Sequence, residues 1–410
     1  MTVYAHSPDG PVQWERLLAQ RTKEMQCSAI RELLKMTQYE DVISFAGGMP
    51  APDIFPVREI EEACHYLLRE EPERALQYST TEGHKPLREF IADSMAKYSI
   101  QHSPDNIQIT TGSQQALDLI GKVFIDPDAP IITGNPSYLG AIQAWRAYQA
   151  RFLPIPLDDS GMQVDYIEDI VKKELPRFIY VLPNFHNPAG TTLPEDRRRR
   201  LVAIARKHDL IIIEDDPYGA LRYEGEDIIP IAALAPERTI YLGTFSKTLT
   251  PGLRIGWAVA PAEIIAKLVQ AKQGADLHSS TFDQMIANDV AQRGILKVHI
   301  KKIRQVYGER RDTMLDALEE FWPDSCSWTR PKGGLFLWAR VPESIDTQEF
   351  LKKALKKQKV AYVPGCNFFP NCDGGFNAMR LNFSHAKPEK IVEGIHRLGE
   401  ALKEELVNHA

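Results

Sequence analysis

The sequence lacks any continuous apolar stretch approaching the roughly 18 residues of a membrane-crossing helix. Residues 1–16 also lack the basic-then-apolar order of an export signal, so a cytoplasmic protein without a membrane partner is expected. Cysteine is scarce: Cys27, Cys64, Cys326, Cys366 and Cys372 are an odd, scattered set of five with no C-x-x-C pair, which argues against a disulfide framework and fits a reducing compartment. Cys366 and Cys372 precede His385, but they read as two thiols and an unrelated histidine, and no metal is expected. Charge of one sign is not in excess. With 49 Lys+Arg against 55 Asp+Glu the net charge is −6 and both signs are mixed, which points away from a nucleic-acid partner and towards a small polar one. The run Arg197 to Arg200 does not change this, because at 100° per residue four consecutive arginines point around a helix rather than along one stripe. It reads as a solvated helix capped by Thr192-x-x-Glu195. There is no internal repeat, no low-complexity segment, no Walker A pattern and no G-x-G-x-x-G.

What is present is an alternation. At 410 residues the chain is long enough for a large α/β domain and a smaller one. Apolar, β-branched runs at 107–111, 130–133, 151–155, 178–182, 210–214, 239–242 and 255–260 are separated mostly by helix-like segments. Seven such runs predict a mainly parallel seven-stranded sheet with helices on both faces, and such sheets bind ligands outside the carboxyl ends of their strands. Polar residues gather at those ends: Gly112-Ser113-Gln114 opening a helix, Asn135-Pro136-Ser137-Tyr138, Asn184 to Gly190, and Glu214-Asp215-Asp216-Pro217-Tyr218. A glycine turn into a helix N-terminus suits a phosphate.

Beyond residue 261 long helices are expected through Lys272, over 280–293 and over 298–321, followed by a smaller α+β unit with strands near Trp328, 335–340, 361–363 and 379–383. Arg380 is the one cation inside an apolar strand there and needs an anion, either a ligand or a carboxylate side chain. Towards the N-terminus, Ser28 predicts the cap of a short helix through Met36 that carries Arg31 in its first turn, where a ligand anion or a surface salt bridge would account for it. Gly47-Gly48 followed by Pro50 and Pro52 either lets backbone approach a ligand or links two domains. The expected division is an N-terminal arm and helix (1–51) joining the small domain, a large domain (52–295), and a bridging helix with the small C-terminal domain (296–410).

Lys247 lies in a polar loop between the strand-like runs 239–242 and 255–260, with Arg254 seven residues on. Dehydration and a neighbouring cation both favour the neutral amine, and a neutral amine condenses with aldehydes. One aldehyde cofactor accounts for the whole set. Pyridoxal 5′-phosphate needs a lysine for a Schiff base, a carboxylate beside its ring nitrogen, donors for its phenolic oxygen and a phosphate cradle, and an amino-acid substrate adds an arginine for its α-carboxylate.

Asn187-Pro188-Ala189-Gly190, Asp215-x-x-Tyr218, Ser246-Lys247-x5-Leu253-Arg254 and Arg380, in this order, resemble the fold type I pyridoxal-phosphate-dependent aminotransferases of class I/II. Ala29-Ile30-Arg31-Glu32-Leu33-Leu34, Ser44-Phe45-Ala46-Gly47-Gly48, Leu76-Gln77-Tyr78-Ser79 and Thr111 to Leu119 resemble more closely the subgroup acting on 2-aminoadipate, kynurenine, and aromatic or branched-chain amino acids. The resemblance implies Lys247 as Schiff-base lysine and proton carrier, Asp215 at the ring nitrogen, Asn187 and Tyr218 at the phenolic oxygen, and Tyr138 stacked on the ring. It implies Ser113, Gln114, Thr244, Ser246 and Arg254 at the phosphate, joined by Tyr78 from a second subunit of a homodimer. It further implies Arg380, Asn187 and the Gly48 backbone at the substrate α-carboxylate, and Arg31 at a distal carboxylate. The implied reaction passes the amino group of an L-amino acid to 2-oxoglutarate. The alternatives are a β-lyase or decarboxylase on the same scaffold, and a MocR-like regulator, which would carry a winged helix in front; fewer than about 30 residues precede the first matched motif.

Overall fold

The computed structural model describes residues 12–25, 41–98 and 103–409. The expected Ser28 helix and Arg31 lie outside the described residues, as does Cys27. After a short strand β1 (Ile43–Ser44), the chain lays down β2 (Ile107–Thr111), β3 (Pro130–Asn135), β4 (Arg151–Asp158), β5 (Gly161–Met162), β6 (Phe178–Val181), β7 (Ile211–Asp215), β8 (Thr239–Thr244) and β9 (Ile255–Val259). They form one eight-stranded sheet in the order β2-β9-β8-β7-β6-β3-β4-β5. The eighth strand is a correction to the expected seven. β5 is a two-residue return of β4, antiparallel to it, and Gly161 supplies the positive φ of 86° that starts it; two residues leave no periodicity to detect.

The neighbours β8, β7, β6, β3 and β4 are parallel, while β9 runs antiparallel to both β2 and β8. This reversal brings the start of β9, with Arg254 just before it, to the edge where the parallel strands end. Successive strand residues feed opposite faces. Ile131, Tyr180, Ile213 and Leu242 pack beneath the helices Ser113–Phe124, Leu139–Arg146 and Ala262–Gln273. Ile132, Ile179 and Ile212 pack beneath Glu195–Lys207. Burial on both faces is why these strands read as continuous apolar runs.

The helix expected from 298 spans Ile295–Phe321, because Gly294, at φ 74°, ends the preceding segment and releases the chain into a new helix. Beyond it, β10 (Ser327–Trp328), β11 (Phe336–Arg340), β13 (Val363–Pro364) and β14 (Ala378–Asn382) form a four-stranded antiparallel sheet, and β12 (Val360–Ala361) pairs in parallel with β1. The single strand expected over 361–363 is thus two. Tyr362 marks the switch, buried with its hydroxyl donating to the Thr347 carbonyl at 2.7 Å. Phe45, Ala46 and Ala51 share a core with Phe336, Leu381 and Ile395, so the stretch after β1 packs with the C-terminal part of the chain.

The arginine run also departs from expectation. Arg197, Arg199 and Arg200 make outward ion pairs with Asp158, Glu195 and Asp165. Arg198 instead points inward, 0% exposed, donating to the carbonyls of Leu193, Ile229 and Pro183 and to Asn184 Oδ1. Thr192 does not cap the helix; its hydroxyl accepts from the Phe185 N–H, and the helix starts after Pro194. Both groups brace the loop between β6 and Asn187. Among the described residues no helix is long and apolar enough to cross a membrane, and no three His, Cys, Asp or Glu side chains are grouped as metal ligands.

Candidate active site

Where β2, β3, β6, β7 and β8 end, a cavity of about 290 Å³ opens against the small sheet. Its wall contains Gly48, Ser113, Gln114, Tyr138, Asn187, Asp215, Tyr218, Thr244, Ser246, Lys247, Arg254 and Arg380. Residues up to 332 positions apart in the chain (48 to 380) thus meet in one place. Tyr78 is not among them; it stands 79% exposed, edge-on to the His278 ring at 5.7 Å.

Lys247 follows β8 and its amine donates to the Gly48 carbonyl at 2.7 Å. Dehydration first, then the guanidiniums of Arg380 and Arg254, push its pKa down to about 8. Asp215 closes β7 at 2% exposure. Its Oδ2 accepts from the Tyr180 hydroxyl at 2.7 Å, while Oδ1 has no hydrogen-bond partner among the described residues. Burial raises this carboxyl to about 7 against the opposing effect of the tyrosine bond. A buried carboxylate with one bare oxygen invites a cation or an N–H.

Tyr218 lies beside Asn187, whose amide donates to its hydroxyl at 3.5 Å. Asn187 Oδ1 in turn accepts from Arg380 Nη1 at 3.0 Å, and Arg380 Nη2 donates to the Ala46 carbonyl at 2.7 Å. Arg380 comes from the middle of β14, as its strand position predicted, but among the described residues no carboxylate side chain pairs with it. The guanidinium lies 4.2 Å from the Phe336 ring centre and 5.0 Å from that of Phe368, and its Nε is unpartnered among the described residues. Burial lowers its pKa to about 10. Among the described residues its neighbours are a side-chain amide, a backbone carbonyl and two aromatic rings, none of them an anion. Phe336 and Phe368 were not singled out from sequence; they look like ordinary strand and loop aromatics.

At the other end, the helix Ser113–Phe124 points its free N–H groups at the cavity, with Gly112 at φ 73° making the turn. A Cβ on Gly256 would sit 2.5 Å from the Ser113 nitrogen, so β9 can lie against this turn only with glycine there. Arg254, itself at φ 55°, reaches Ser246 Oγ at 3.5 Å. The Thr244 hydroxyl is occupied internally, donating to the Ile255 carbonyl and accepting from the Ser246 N–H, both at 3.0 Å. It shapes the loop that presents Ser246. Tyr138 heads the helix Leu139–Arg146 and bonds Gln114 Oε1 at 3.3 Å. The cavity therefore holds an anion cradle at one end, a bare carboxylate oxygen and an amine in the middle, and an unneutralised arginine at the other end.

Residues 40–398 match the family model "Aminotransferase class I and II". An aromatic-amino-acid aminotransferase of Thermococcus litoralis is 50% identical over 402 residues, covering 96% of each chain. The crystal structure of an α-aminoadipate aminotransferase from Thermus thermophilus, complexed with N-(5′-phosphopyridoxyl)-L-leucine, superposes with a TM-score of 0.91 at 43% identity, covering 97% of this chain and 100% of that one. A kynurenine aminotransferase of Pyrococcus horikoshii, in complex with PMP and kynurenine, gives 0.92 at 46% identity over 96% and 98% of the two chains. By sequence match along nearly its whole length and by its fold, this chain is an enzyme of the class I and II aminotransferase family.

Proposed function

We propose that the protein is a pyridoxal-5′-phosphate-dependent aminotransferase that moves the amino group of an L-amino acid of the 2-aminoadipate, aromatic or branched-chain type to 2-oxoglutarate. The observation that carries this reading is the meeting, in one cavity, of the Lys247 amine, Asp215 Oδ1 and Arg380 Nε, the last two without a partner among the described residues. The residues present fit the cofactor. A ring N–H⁺ is the partner Asp215 Oδ1 lacks, and a cation beside that carboxylate would offset the burial that now holds its proton. The helix turn at Ser113, with Ser246 and Arg254, offers donors to a phosphate. When bound, pyridoxal 5′-phosphate supplies an aldehyde that takes up amino groups and a protonated ring that accepts electrons.

The chain's own groups then divide the work. Lys247 would be the residue that holds the cofactor's aldehyde carbon, and its amine would carry the proton between the substrate Cα and the cofactor C4′. Asp215 holds the proton on the ring nitrogen. Asn187 and Tyr218 would donate to the phenolic oxygen, and Tyr138 would lie against the ring. Arg380, with Asn187 beside it, would hold the α-carboxylate and so orient the substrate towards Lys247. Because the amine's pKa is lowered from 10.5 to about 8, it is protonated and unreactive below that value. Capture of the cofactor by apo protein should therefore accelerate with pH through about 8 and level off above it. Stopped-flow absorbance checks this; an inflection at the ordinary lysine value would mean the amine is not dehydrated.

Tyr78 is exposed on its own chain, and we assign it to the phosphate of a second subunit, in a homodimer with two shared sites. The large and small domains are assigned boundaries near residues 52 and 295. The free thiols Cys64, Cys326, Cys366 and Cys372 accord with a cytoplasmic setting. Arg31 is assigned to a distal carboxylate of glutamate, 2-aminoadipate or 2-oxoglutarate. The test is a panel of amino acids with 2-oxoglutarate, scored for glutamate and the matching 2-oxo acid. Ammonia with pyruvate would identify a β-lyase, and carbon dioxide a decarboxylase. In the same panel Arg31→Gln should raise KM for dicarboxylic substrates by about tenfold, the scale of one charge-assisted contact, and spare aromatic and aliphatic ones; equal effects on both would remove Arg31 from side-chain recognition.

A further inference from the structure

We propose that Tyr180 is a positioning residue for the reaction above, holding Asp215 so that Oδ1 faces the ring nitrogen, and that Trp145 holds Tyr180 in place. The proposal rests on the assignment of Asp215 to the cofactor. β6 and β7 are parallel neighbours in which Tyr180 pairs with Ile213, so Asp215 is two residues further along β7 on the same face. A tyrosine at that register is long enough to reach diagonally to the carboxylate. Its hydroxyl donates to Oδ2 at 2.7 Å, and both residues are buried, at 1% and 2% exposure.

The phenol is itself fixed. The Trp145 ring meets it edge-on at 4.8 Å and 88°, and the Trp145 Nε1–H donates to the Leu117 carbonyl at 2.9 Å. Leu117 belongs to the helix whose first turn forms the anion cradle. The contacts from Leu117 through Trp145 and Tyr180 to Asp215 thus link the helix of the anion cradle to the carboxylate through buried side chains.

The chemistry of the bond gives Tyr180 two effects. A carboxylate held by one bond on Oδ2 cannot swing Oδ1 away from the cavity. A donor on Oδ2 also stabilises the anion, so the proton shared with a ring nitrogen stays on nitrogen. Burial keeps the phenol neutral by raising its pKa well above the ordinary value, so it remains a donor across the working pH range. Without it the carboxylate becomes more basic and draws the proton towards itself, and a ring without that proton withdraws electrons poorly.

The test uses holoenzyme loaded with pyridoxal 5′-phosphate labelled with ¹⁵N in the ring. In wild type the ring nitrogen should resonate at the protonated position. In Tyr180→Phe, which removes one oxygen and keeps the ring contacts, the resonance should move towards the unprotonated position. kcat should fall by about tenfold, the loss typical of an outer hydrogen bond to a functional ligand, with KM for the amino donor unchanged. Trp145→Phe, which keeps an aromatic edge but drops the bond to Leu117, should shift the resonance the same way by less. Both variants keeping wild-type resonance and kcat would overturn the role of Tyr180 while leaving the enzyme's reaction intact. A wild-type protein that binds no cofactor would instead overturn the reaction itself, and the positioning role with it.

Discussion

With Lys247 replaced by alanine, the protein is expected to bind pyridoxal 5′-phosphate in the same cavity but turn over about 10⁴-fold more slowly, the upper end of what one positioned acid–base group contributes. Lys247 is the only amine among the described residues lining the cavity; the other two cations there are guanidiniums, which do not release a proton near neutral pH. The cradle at Ser113 and Ser246, and the Asp215 carboxylate, are untouched by the change. Affinity should therefore survive while chemistry fails. Equilibrium binding and single-turnover rates separate the two, and a variant that keeps wild-type turnover would remove Lys247 from its role.

The second large effect is expected at Arg380. Arg380→Leu should lower kcat/KM about 10³-fold for every amino acid in the panel, the scale of removing one partner from a buried charge pair, and should leave cofactor affinity close to wild type. A leucine can fill the slot between Phe336 and Phe368 but leaves Asn187 Oδ1 and the Ala46 carbonyl without their donor, so cofactor affinity is the control that the site has kept its shape. Arg380→Lys should recover little. An ammonium cannot hold Asn187 Oδ1, the Ala46 carbonyl and a substrate carboxylate in one plane as the guanidinium fork can. Steady-state kinetics over aromatic, aliphatic and acidic donors checks this. A loss confined to one class would make Arg380 a side-chain reader rather than the anchor common to all substrates.

The sheet was legible because strands buried on both faces leave continuous apolar runs, and these carry over almost residue for residue into β2, β3, β4 and β6 to β9. The site was legible for a related reason. Strand ends are where a parallel sheet exposes polar side chains, and Asp215, Asn187, Ser246 and Lys247 all lie there. What the sequence hid depends on direction rather than residue type. Tyr180 reads as one more apolar strand residue in Phe178-Ile179-Tyr180-Val181, and only the register of β6 against β7 shows that its hydroxyl meets Asp215. Arg198 is one of four arginines, and only the turn of the helix decides which one is buried. The Thr244 hydroxyl looks free to meet a ligand, but it is already committed to Ile255 and Ser246. The split between β12 and β13 arises because the chain exchanges one sheet partner for another, which a run of apolar residues does not record.

The most direct measurement of the central claim is borohydride reduction of the cofactor-loaded protein followed by peptide mass spectrometry. Lys247 should carry one reduced phosphopyridoxyl group, no other lysine should carry one, and treatment with an amino-acid donor before reduction should abolish the label. A label on a different lysine, or none at all in protein that has bound the cofactor, would contradict the assignment of this loop as the reacting centre.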